Sequence, residues 1–478
     1  MSQLPVVVPH PDDRVAVVGL GVSNRAVASY LLDLGISPHY YDAKNPRDLD
    51  LATLPEDPGD RLYGGADYLQ ALARDHRRNP YRFVFVTPGM PKHHPVLRSM
   101  AGEGVRLAGE MGFFMDLCPA GMVGITGSAG KTTTASMLAH FLGGLNRRVW
   151  LGGNIGRPMI DRLGEIEGDD LVVLELSSFQ LELANTVPQT AALLNMFPDH
   201  LDVHENLEAY YEAKANLVKN QRRGDRLLLN RDCPRSAALA EVSRADVSYF
   251  SLRLPGTADS TTVAYLRGDE LVLREGEHEE EFATRGELPL AGDHNVANAL
   301  AAAALARGLG VPIEHIRRSL RDFVPPPHRL ETVGEVGGVR YVNDSIATSP
   351  GRARAALMAL EGPLVVILGG YDKGVSFEDL ARRLRTKIDR DEIRGVVLTG
   401  ASASRIAVAL GEAGVSEDSL LVRRDFDEAV AAAAGIARPK DTVLLSPGCA
   451  SFDSFGNYRR RGEHFRVLVE RMKGANEV

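Results

Sequence analysis

The chain has 478 residues, of which 44% are hydrophobic and 25% are charged. This is the composition of a globular protein, and the length suits about three domains. The net charge of −8 argues against non-specific nucleic-acid binding, and no apolar run is long enough to cross a bilayer. Three cysteines without a CxxC pair provide neither a disulfide framework nor a zinc site. We therefore expect a cytoplasmic protein that binds neither membranes nor nucleic acid.

The first segment alternates strand-like and helix-like runs. Strands are predicted at Arg14–Gly19, Ile36–Asp42 and Phe83–Thr87, with a helix ending at Leu34. The turn Gly19-Leu20-Gly21-Val22-Ser23-Asn24 resembles a dinucleotide-binding fingerprint, but Asn24 replaces its third glycine. The pattern predicts a nucleotide-binding α/β sheet, and a turn that binds no dinucleotide is the alternative. Asp42 ends the second strand, where a ribose or base contact is expected.

The second segment opens with a glycine-rich turn between a predicted strand and a predicted helix. Its sequence is Gly124-Ile125-Thr126-Gly127-Ser128-Ala129-Gly130-Lys131-Thr132-Thr133-Thr134. The backbone N–H groups of such a turn converge on phosphate oxygens at a helix N-terminus. Lys131 can reach the β- and γ-phosphates, and the Thr132 hydroxyl can hold Mg²⁺. The strict P-loop pattern has glycine where this chain has Ile125, so we expect an ATP-binding branch with its own pattern. A purely structural glycine turn is the alternative.

Polar residues follow other predicted strands of this segment. Glu175 ends the strand Leu171–Leu174 and is a candidate Mg²⁺ ligand, the alternative being a cap of the next helix. His200 lies between two aspartates after the strand Ala191–Asn195, and it is a candidate metal ligand or general base. Further strands are predicted at Arg148–Leu151 and Arg226–Leu229, and a small antiparallel addition at Thr261–Arg285.

Two helices of the second segment carry ambiguous polar residues. Lys214 lies in a predicted helix, and periodicity alone indicates a solvated surface lysine. Asn295 and Asn298 lie three residues apart on one face of the helix His294–Arg307. Such a pair can hold an adenine or phosphate edge, or it can cap the helix.

The stretch Pro325-Pro326-Pro327 is the clearest linker and precedes a third α/β segment. Strands are predicted there at Leu364–Leu368, Val396–Thr399 and Thr442–Ser446. Three polar loops lie at Asn343–Pro350, Gly369–Gly374 and Ser446–Phe455. Because the carboxyl ends of parallel strands share one edge, these loops predict a pocket for a small molecule of amino-acid size. Ordinary turn chemistry is the alternative.

Taken together, these residues resemble the Mur ligases, the ATP-dependent amino-acid ligases of peptidoglycan precursor synthesis. The resemblance covers nearly the whole chain. It rests on the phosphate loop Thr126–Thr133, the turns Gly19–Gly21 and Gly153–Gly156, the stretch Glu175–Gln180, the pair Asp199-His200, the helix with His294, Asn295 and Asn298, the pair His328-Arg329, the stretch Asn343–Ser345, and Ser446–Asp453 with Tyr458, Arg461 and Gly462 beyond it. The last motif is the most specific, and it is that of the branch joining D-glutamate to UDP-N-acetylmuramoyl-L-alanine.

The resemblance implies an α/β fold of three domains. These are an N-terminal Rossmann-like domain at residues 1–120, a central P-loop mononucleotide-binding domain at 121–326 and a C-terminal Rossmann-like domain at 327–478. It also implies that ATP activates the terminal carboxylate of UDP-N-acetylmuramoyl-L-alanine as an acyl phosphate, which D-glutamate attacks. The implied cofactors are ATP and two Mg²⁺ ions, with Lys214 carbamylated, in a monomer. The alternatives are a related Mur-type ligase with another amino acid and a P-loop NTPase regulatory module without ligation.

The resemblance assigns roles residue by residue. Catalytic roles fall on Lys131, His200, Lys214 and Asp344, and metal binding on Thr132, Glu175, His200 and Lys214. The nucleotide is expected at Gly127, Ser128, Ala129, Gly130, Lys131, Thr132, Thr133, Asn295, Asn298, Arg329 and Asp344. The UDP part is expected at Val22, Ser23, Asp42, Ala43, Lys44, Thr87 and Asn154, and D-glutamate at Thr348, Lys373, Ser451, Phe452 and Tyr458. Three residues depart from the family pattern: Ala129 replaces the usual Asn, Ile346 a lysine of some members, and Lys44 a common arginine.

Overall fold

The computed structural model describes residues 8–198, 204–256, 259–290, 292–360, 362–371 and 374–476. In these residues the strands form three sheets, at residues 15–108, 121–284 and 331–445. The chain up to Glu287 forms one compact unit with Ala297–Asp322, and Leu288–Val296 forms the other with the chain from Phe323 onward. The sheets confirm the predicted three-part α/β architecture, while the exact domain limits stay a prediction. None of the helices in the described ranges is both long and apolar enough to cross a membrane.

The first sheet is parallel and has helices between its strands. The strands are β1 (Val15–Val18), β2 (His39–Asp42), β3 (Leu62–Gly64), β4 (Phe83–Val86) and β5 (Arg106–Ala108). The helices are α1 (Val22–Asp33), α2 (Tyr68–Arg78), α3 (Pro95–Gly102) and α4 (Glu110–Leu117). The strand order is β3-β2-β1-β4-β5, and the apolar strands β1 and β4 are buried throughout. The order reverses between β1 and β4, and ligands of doubly wound sheets bind at such a point.

The central sheet is larger. Its strands are β6 (Gly121–Thr126), β7 (Val149–Gly153), β8 (Leu171–Glu175), β9 (Thr190–Leu193), β10 (Arg226–Asn230), β11 (Asp246–Ser251), β12 (Thr262–Arg267), β13 (Glu270–Glu275) and β14 (His278–Thr284). Its helices are α5 (Lys131–Phe141), α6 (Ser178–Leu181), α7 (Leu207–Lys219), α8 (Pro234–Ala237), α9 (Asp293–Gly308) and α10 (Ile313–Arg321). The order is β14-β13-β12-β11-β10-β9-β6-β8-β7, parallel except for the antiparallel pairs of β13 with β12 and β14. This antiparallel edge confirms the predicted addition. Strand β6, which lies between β8 and β9 in the sheet, leads into the phosphate loop.

The third sheet is again mostly parallel. Its strands are β15 (Glu331–Val336), β16 (Val339–Asn343), β17 (Leu364–Gly369), β18 (Ile393–Thr399), β19 (Leu420–Val422) and β20 (Thr442–Leu445). Its helices are α11 (Pro350–Ala359), α12 (Glu378–Ile388), α13 (Ala403–Glu412), α14 (Phe426–Ile436) and α15 (Tyr458–Asn476). The order is β15-β16-β20-β17-β18-β19, and an apolar core lies on each face. The neighbouring strands β16, β20 and β17 therefore present the three predicted polar loops at one edge.

Candidate active site

The phosphate loop connects β6 to α5 at the carboxyl edge of the central sheet. Gly130 has φ of 88°, a conformation that L side chains rarely adopt. A Cβ at this position would lie 2.2 Å from Oδ1 of Asn298 on α9. The Thr134 hydroxyl also donates to Oδ1 of Asn298, at 3.3 Å. The fold therefore requires glycine at 130 and brings one of the two predicted asparagines against the loop.

Two lysines converge on one carbonyl of this loop. Nζ of Lys131 donates to the carbonyls of Gly127 at 2.8 Å and Ser128 at 3.3 Å. Nζ of Lys214, on α7, donates to the same Gly127 carbonyl at 3.0 Å and lies 4.8 Å from the centre of the Tyr210 ring. Lys214 is only 1% exposed. The surface position that periodicity alone indicates for Lys214 is therefore wrong, because α7 packs this face beneath the phosphate loop.

A chain of polar contacts runs from α5 to the turn after β7. The Thr132 hydroxyl donates to Oε2 of Glu175 at 2.6 Å, and Nδ2 of Asn154 donates to Oε1 at 3.1 Å. Glu175 is buried, and the capping box of α6 is formed by Ser177 and Gln180 instead. The alternative role of Glu175 as a helix cap is therefore wrong. The Thr132–Glu175 pair offers two hard oxygen donors, which suit Mg²⁺.

Some predicted site residues are not described by the structure. His200, the third predicted metal ligand, and Lys373, a predicted D-glutamate contact, lie outside the described residues. Within the described ranges no three His, Cys, Asp or Glu side chains cluster as a metal site. The roles of His200 and Lys373 stay predictions.

The loops of the first sheet hold each other in place. The Asp42 carboxylate accepts the backbone N–H groups of Leu20 at 2.7 Å and Lys44 at 2.8 Å. Nδ2 of Asn24 donates to the carbonyls of Val18 at 2.8 Å and Gly19 at 2.9 Å. The residue that replaces the third glycine therefore fastens the turn to β1. The predicted UDP contacts of this segment, Val22, Ser23, Asp42, Ala43, Lys44 and Thr87, follow β1, β2 and β4 at one edge.

Arg461, on α15, joins the polar loops that follow β16 and β20 of the third sheet. It is 2% exposed and donates to Oγ and the carbonyl of Ser345, both at 3.0 Å. It also donates to the carbonyls of Cys449 at 3.0 Å and Ala450 at 3.2 Å. The Ala450 carbonyl accepts the N–H of Tyr371 at 2.8 Å, so the loops after β16, β20 and β17 meet. Among the predicted D-glutamate residues, Ser451 is buried here and Phe452 is 64% exposed.

Asp344 is a buried carboxyl at the end of β16. It accepts the Ser446 hydroxyl at 2.8 Å and the Leu330 N–H at 3.3 Å. Burial raises the pKa of Asp344 to about 7, against the opposing effects of the Ser446 hydrogen bond and the charge of Arg329. Arg329 lies between His328 and Leu330, whose φ values of 65° and 45° are strained for these residue types. Such strain clusters at functional sites, so this segment fits a ligand-binding role.

Comparison with known proteins decides the family. The chain matches the Mur ligase middle domain at residues 125–306 and the Mur ligase, glutamate ligase domain at 328–449. The UDP-N-acetylmuramoylalanine–D-glutamate ligase of Symbiobacterium thermophilum is 41% identical, over 96% of this chain and 98% of its own. The ligase of the same name from Clostridium novyi is 37% identical, over 96% and 97%. The chain belongs to the Mur ligase family.

The fold agrees with this assignment. A solved MurF ligase from Thermotoga maritima in complex with ADP aligns with a TM-score of 0.55 at 17% identity, covering 98% of this chain and all of that one. This Mur ligase is therefore an enzyme of peptidoglycan precursor synthesis, in a family that depends on ATP.

Two residues that support the phosphate loop of the Mur ligase escaped the sequence interpretation. Oδ1 of Asn195 accepts the Ala129 N–H at 2.8 Å, and its Nδ2 donates to the Ala129 carbonyl at 3.0 Å. The hydroxyl of Tyr210 lies 2.8 Å from Oγ of Ser128. Asn195 lies two residues beyond the end of β9, so the strand-end signal that pointed to Glu175 could have identified it. The loop is thus clamped at Ala129, where the usual Asn side chain is missing.

Proposed function

We propose that this Mur ligase joins D-glutamate to UDP-N-acetylmuramoyl-L-alanine. In the first step the terminal carboxylate attacks the γ-phosphate of ATP, giving an acyl phosphate and ADP. In the second step the amine of D-glutamate attacks the acyl carbon, an amide forms and phosphate leaves. One observation carries this proposal: Lys131, Lys214 and the Thr132–Glu175 pair lie together at the phosphate loop. The chain that holds them is 41% identical to the UDP-N-acetylmuramoylalanine–D-glutamate ligase of Symbiobacterium thermophilum.

The first step brings two anions together, so positive charge must be supplied. Lys131 now donates to the carbonyls of its own loop, and a γ-phosphate is a stronger acceptor for the same ammonium. We expect Lys131 to leave those carbonyls for the phosphate. Thr132 and Glu175 would hold Mg²⁺, with His200 and Lys214 completing the sites for two ions. When bound, the ions neutralise the charge that develops on the phosphates.

We further propose that Lys214 acts as a carbamate. The neutral amine adds to CO₂, a new N–C bond forms, and a proton leaves to solvent. The product carries a negative charge and offers oxygen ligands, which suit a hard cation. The buried position of Nζ at the Gly127 carbonyl supports this role, since it puts the amine against the phosphate loop itself.

The second step needs a neutral amine, and therefore a base. Asp344 and His200 are the two candidates. The pKa of about 7 that burial gives Asp344 supports it, because such a carboxylate can accept a proton near neutral pH. Thr348, Lys373, Ser451, Phe452 and Tyr458 would bind D-glutamate in the loops that Arg461 joins. Asn295, Asn298, Arg329 and Asp344 would bind the nucleotide.

The UDP part of the substrate would lie at the carboxyl edge of the first sheet. Its ligands would be Val22, Ser23, Asp42, Ala43, Lys44 and Thr87, with Asn154 from the turn after β7. We propose that the enzyme works as a monomer in the cytoplasm, on its three small substrates alone.

A panel of amino acids tests the proposal. Phosphate release is measured with ATP, Mg²⁺ and UDP-N-acetylmuramoyl-L-alanine, together with D-glutamate, L-glutamate, L-alanine or a diamino acid. We expect turnover only with D-glutamate. Turnover with another amino acid would instead identify a related Mur-type ligase. Equal ATP turnover with and without any amino acid would indicate an NTPase module.

A further inference from the structure

Lys92 is a buried lysine with no role in the chemistry described above. It lies in the turn after β4 and is 7% exposed. Its Nζ donates to the carbonyl of Thr87 at 3.3 Å and to that of Pro88. The same ammonium lies over the ring of Phe179, 5.9 Å from its centre. Lysines are rarely buried unless their charge is satisfied. The two carbonyls and the aromatic ring stabilise the Lys92 ammonium in this buried position.

The hydrogen bond of the Lys92 ammonium ends on Thr87, a residue that packs against the glycine turn. The Thr87 side chain packs against the glycine turn, since a Cβ on Gly19 would lie 2.6 Å from Cγ2 of Thr87. The Thr87 N–H donates to the carbonyl of Val18, at the end of β1, at 3.0 Å. A shift of Thr87 would therefore displace the turn at Gly19–Gly21, which is expected to hold the UDP group.

The aromatic contact of Lys92, Phe179, belongs to the part of the chain that forms the central sheet. Phe179 belongs to α6, which directly follows β8 and begins with the Ser177–Gln180 capping box. The Phe179 ring stacks on His204 with a centre distance of 4.9 Å and an angle of 9°. His204 in turn packs edge-on against Tyr210, the partner of Ser128 in the phosphate loop. Contacts thus continue from the Lys92 ammonium to the phosphate loop.

We propose that Lys92 is a positioning residue that fixes the UDP-binding turn of the first sheet against α6 of the central sheet. The inference rests on the proposed function, because it takes the UDP sugar as the ligand of that turn. Lys92 is proposed to act through the carbonyls of Thr87 and Pro88, to which its ammonium donates. Burial lowers the pKa of Lys92 to about 8, which Glu182 opposes, so the side chain carries its charge at pH 7.

The test replaces Lys92 by methionine, which fills similar space without donors or charge. For Lys92→Met we expect the KM for UDP-N-acetylmuramoyl-L-alanine to rise about tenfold, the effect of losing one hydrogen bond to a charged group. The kcat and the KM for ATP should change less than about twofold, because ground-state binding of the UDP part is what is lost. Lys387→Met is the control: Lys387, on α12, is 3% exposed, donates to the Leu360 carbonyl at 3.1 Å and pairs with Glu392. It should leave the KM for the UDP substrate unchanged.

An unchanged KM in Lys92→Met would overturn the inference. So would an equal loss in kcat, in the KM for ATP and in thermal stability, which marks a general structural role. If the methionine variant does not fold, Lys92→Gln replaces it, since glutamine removes the charge but keeps an amide donor. We expect Lys92→Gln to raise the KM for UDP-N-acetylmuramoyl-L-alanine while kcat and the KM for ATP stay nearly unchanged. Calorimetric binding of UDP-N-acetylmuramoyl-L-alanine without ATP or D-glutamate tests Lys92 separately. Wild-type protein that binds this substrate but forms no product with D-glutamate would contradict the proposed function alone.

Discussion

At the scale of single residues, burial decides what the polar side chains do. Lys214 and Lys131 both donate to the Gly127 carbonyl, although only one of them belongs to a recognisable phosphate-binding pattern. A lysine in a helix is usually solvated, and local sequence holds no sign that α7 packs beneath the loop. The family resemblance predicted a site role for Lys214, whereas its helical periodicity indicated a solvated surface residue.

Lys131→Ala tests the central residue of the loop. We expect kcat for ADP formation to fall at least about a hundredfold, because the charge that neutralises the γ-phosphate is lost. The measurement is ADP formation with all three substrates present. Lys219→Ala serves as the control, since Lys219 lies at the exposed end of α7 and pairs with Glu212. Full ADP formation by Lys131→Ala would refute the role of this lysine.

At the scale of elements, the sequence predicted several strands and helices to within a few residues and missed others, including the long helix α15. The predicted strand Leu364–Leu368 and the helix His294–Arg307 agree with β17 and α9 to within one residue at each end. The predicted strand Ile36–Asp42 begins only at His39, after Pro38, which has no N–H to donate. Three-residue strands such as β3, β5 and β19 were not predicted, because so short a run shows no periodicity and forms only by pairing with a neighbour.

The three loops of the third sheet were predicted together, but Arg461, which joins the loops after β16 and β20, was not given that role. Arg461→Met removes four hydrogen bonds to Ser345, Cys449 and Ala450. We expect the KM for D-glutamate to rise about tenfold or more, since the loops lose their common support. The KM for the UDP substrate should stay the same. These constants are measured by phosphate release at varied substrate concentration.

Arg460→Met provides the control for this experiment. Arg460 is the preceding residue of α15 and is exposed. The Arg460→Met substitution removes an arginine from the same turn of the helix and leaves the hydrogen bonds of the loops in place. An equal rise in the KM for D-glutamate in both variants would contradict the role given to Arg461.

At the scale of the whole molecule, a buried carboxyl links the first and central sheets. Glu110 begins α4, is 2% exposed and accepts the N–H of Ile160 at 3.0 Å. Burial raises the pKa of Glu110 from 4.5 to about 7, against the backbone hydrogen bonds that lower it. The folded state therefore favours the protonated form. This contribution to stability is complete below about pH 4.5 and is lost as the pH rises through about 7.

Glu110→Gln removes this dependence, because the amide stays neutral at all pH values. From pH 4.5 to pH 8 we expect the free energy of unfolding of the variant, minus that of the wild type, to increase by on the order of 3 kcal/mol. Denaturant unfolding of both proteins across this range measures the difference. Glu412→Gln, at an exposed position of α13, should show a constant difference. A constant difference for Glu110→Gln as well would contradict the account of this carboxyl.

The division into three α/β segments was predictable because the chain alternates strands and helices. Three α/β segments follow from the positions of the phosphate loop and the Pro325–Pro327 linker. The order of the strands in each sheet and the contacts of Lys92 with Phe179 depend on residues far apart in sequence. Such contacts leave no local pattern from which they could be read.

Product formation tests the central claim most directly. Purified protein is incubated with ATP, Mg²⁺, UDP-N-acetylmuramoyl-L-alanine and D-glutamate, and the UDP product and ADP are quantified by mass spectrometry and chromatography. The account predicts a UDP product heavier by one glutamyl residue, formed in equal amount with ADP, and no product when any one substrate is omitted. ADP formation without a glutamyl product, at the same rate with and without D-glutamate, would contradict it.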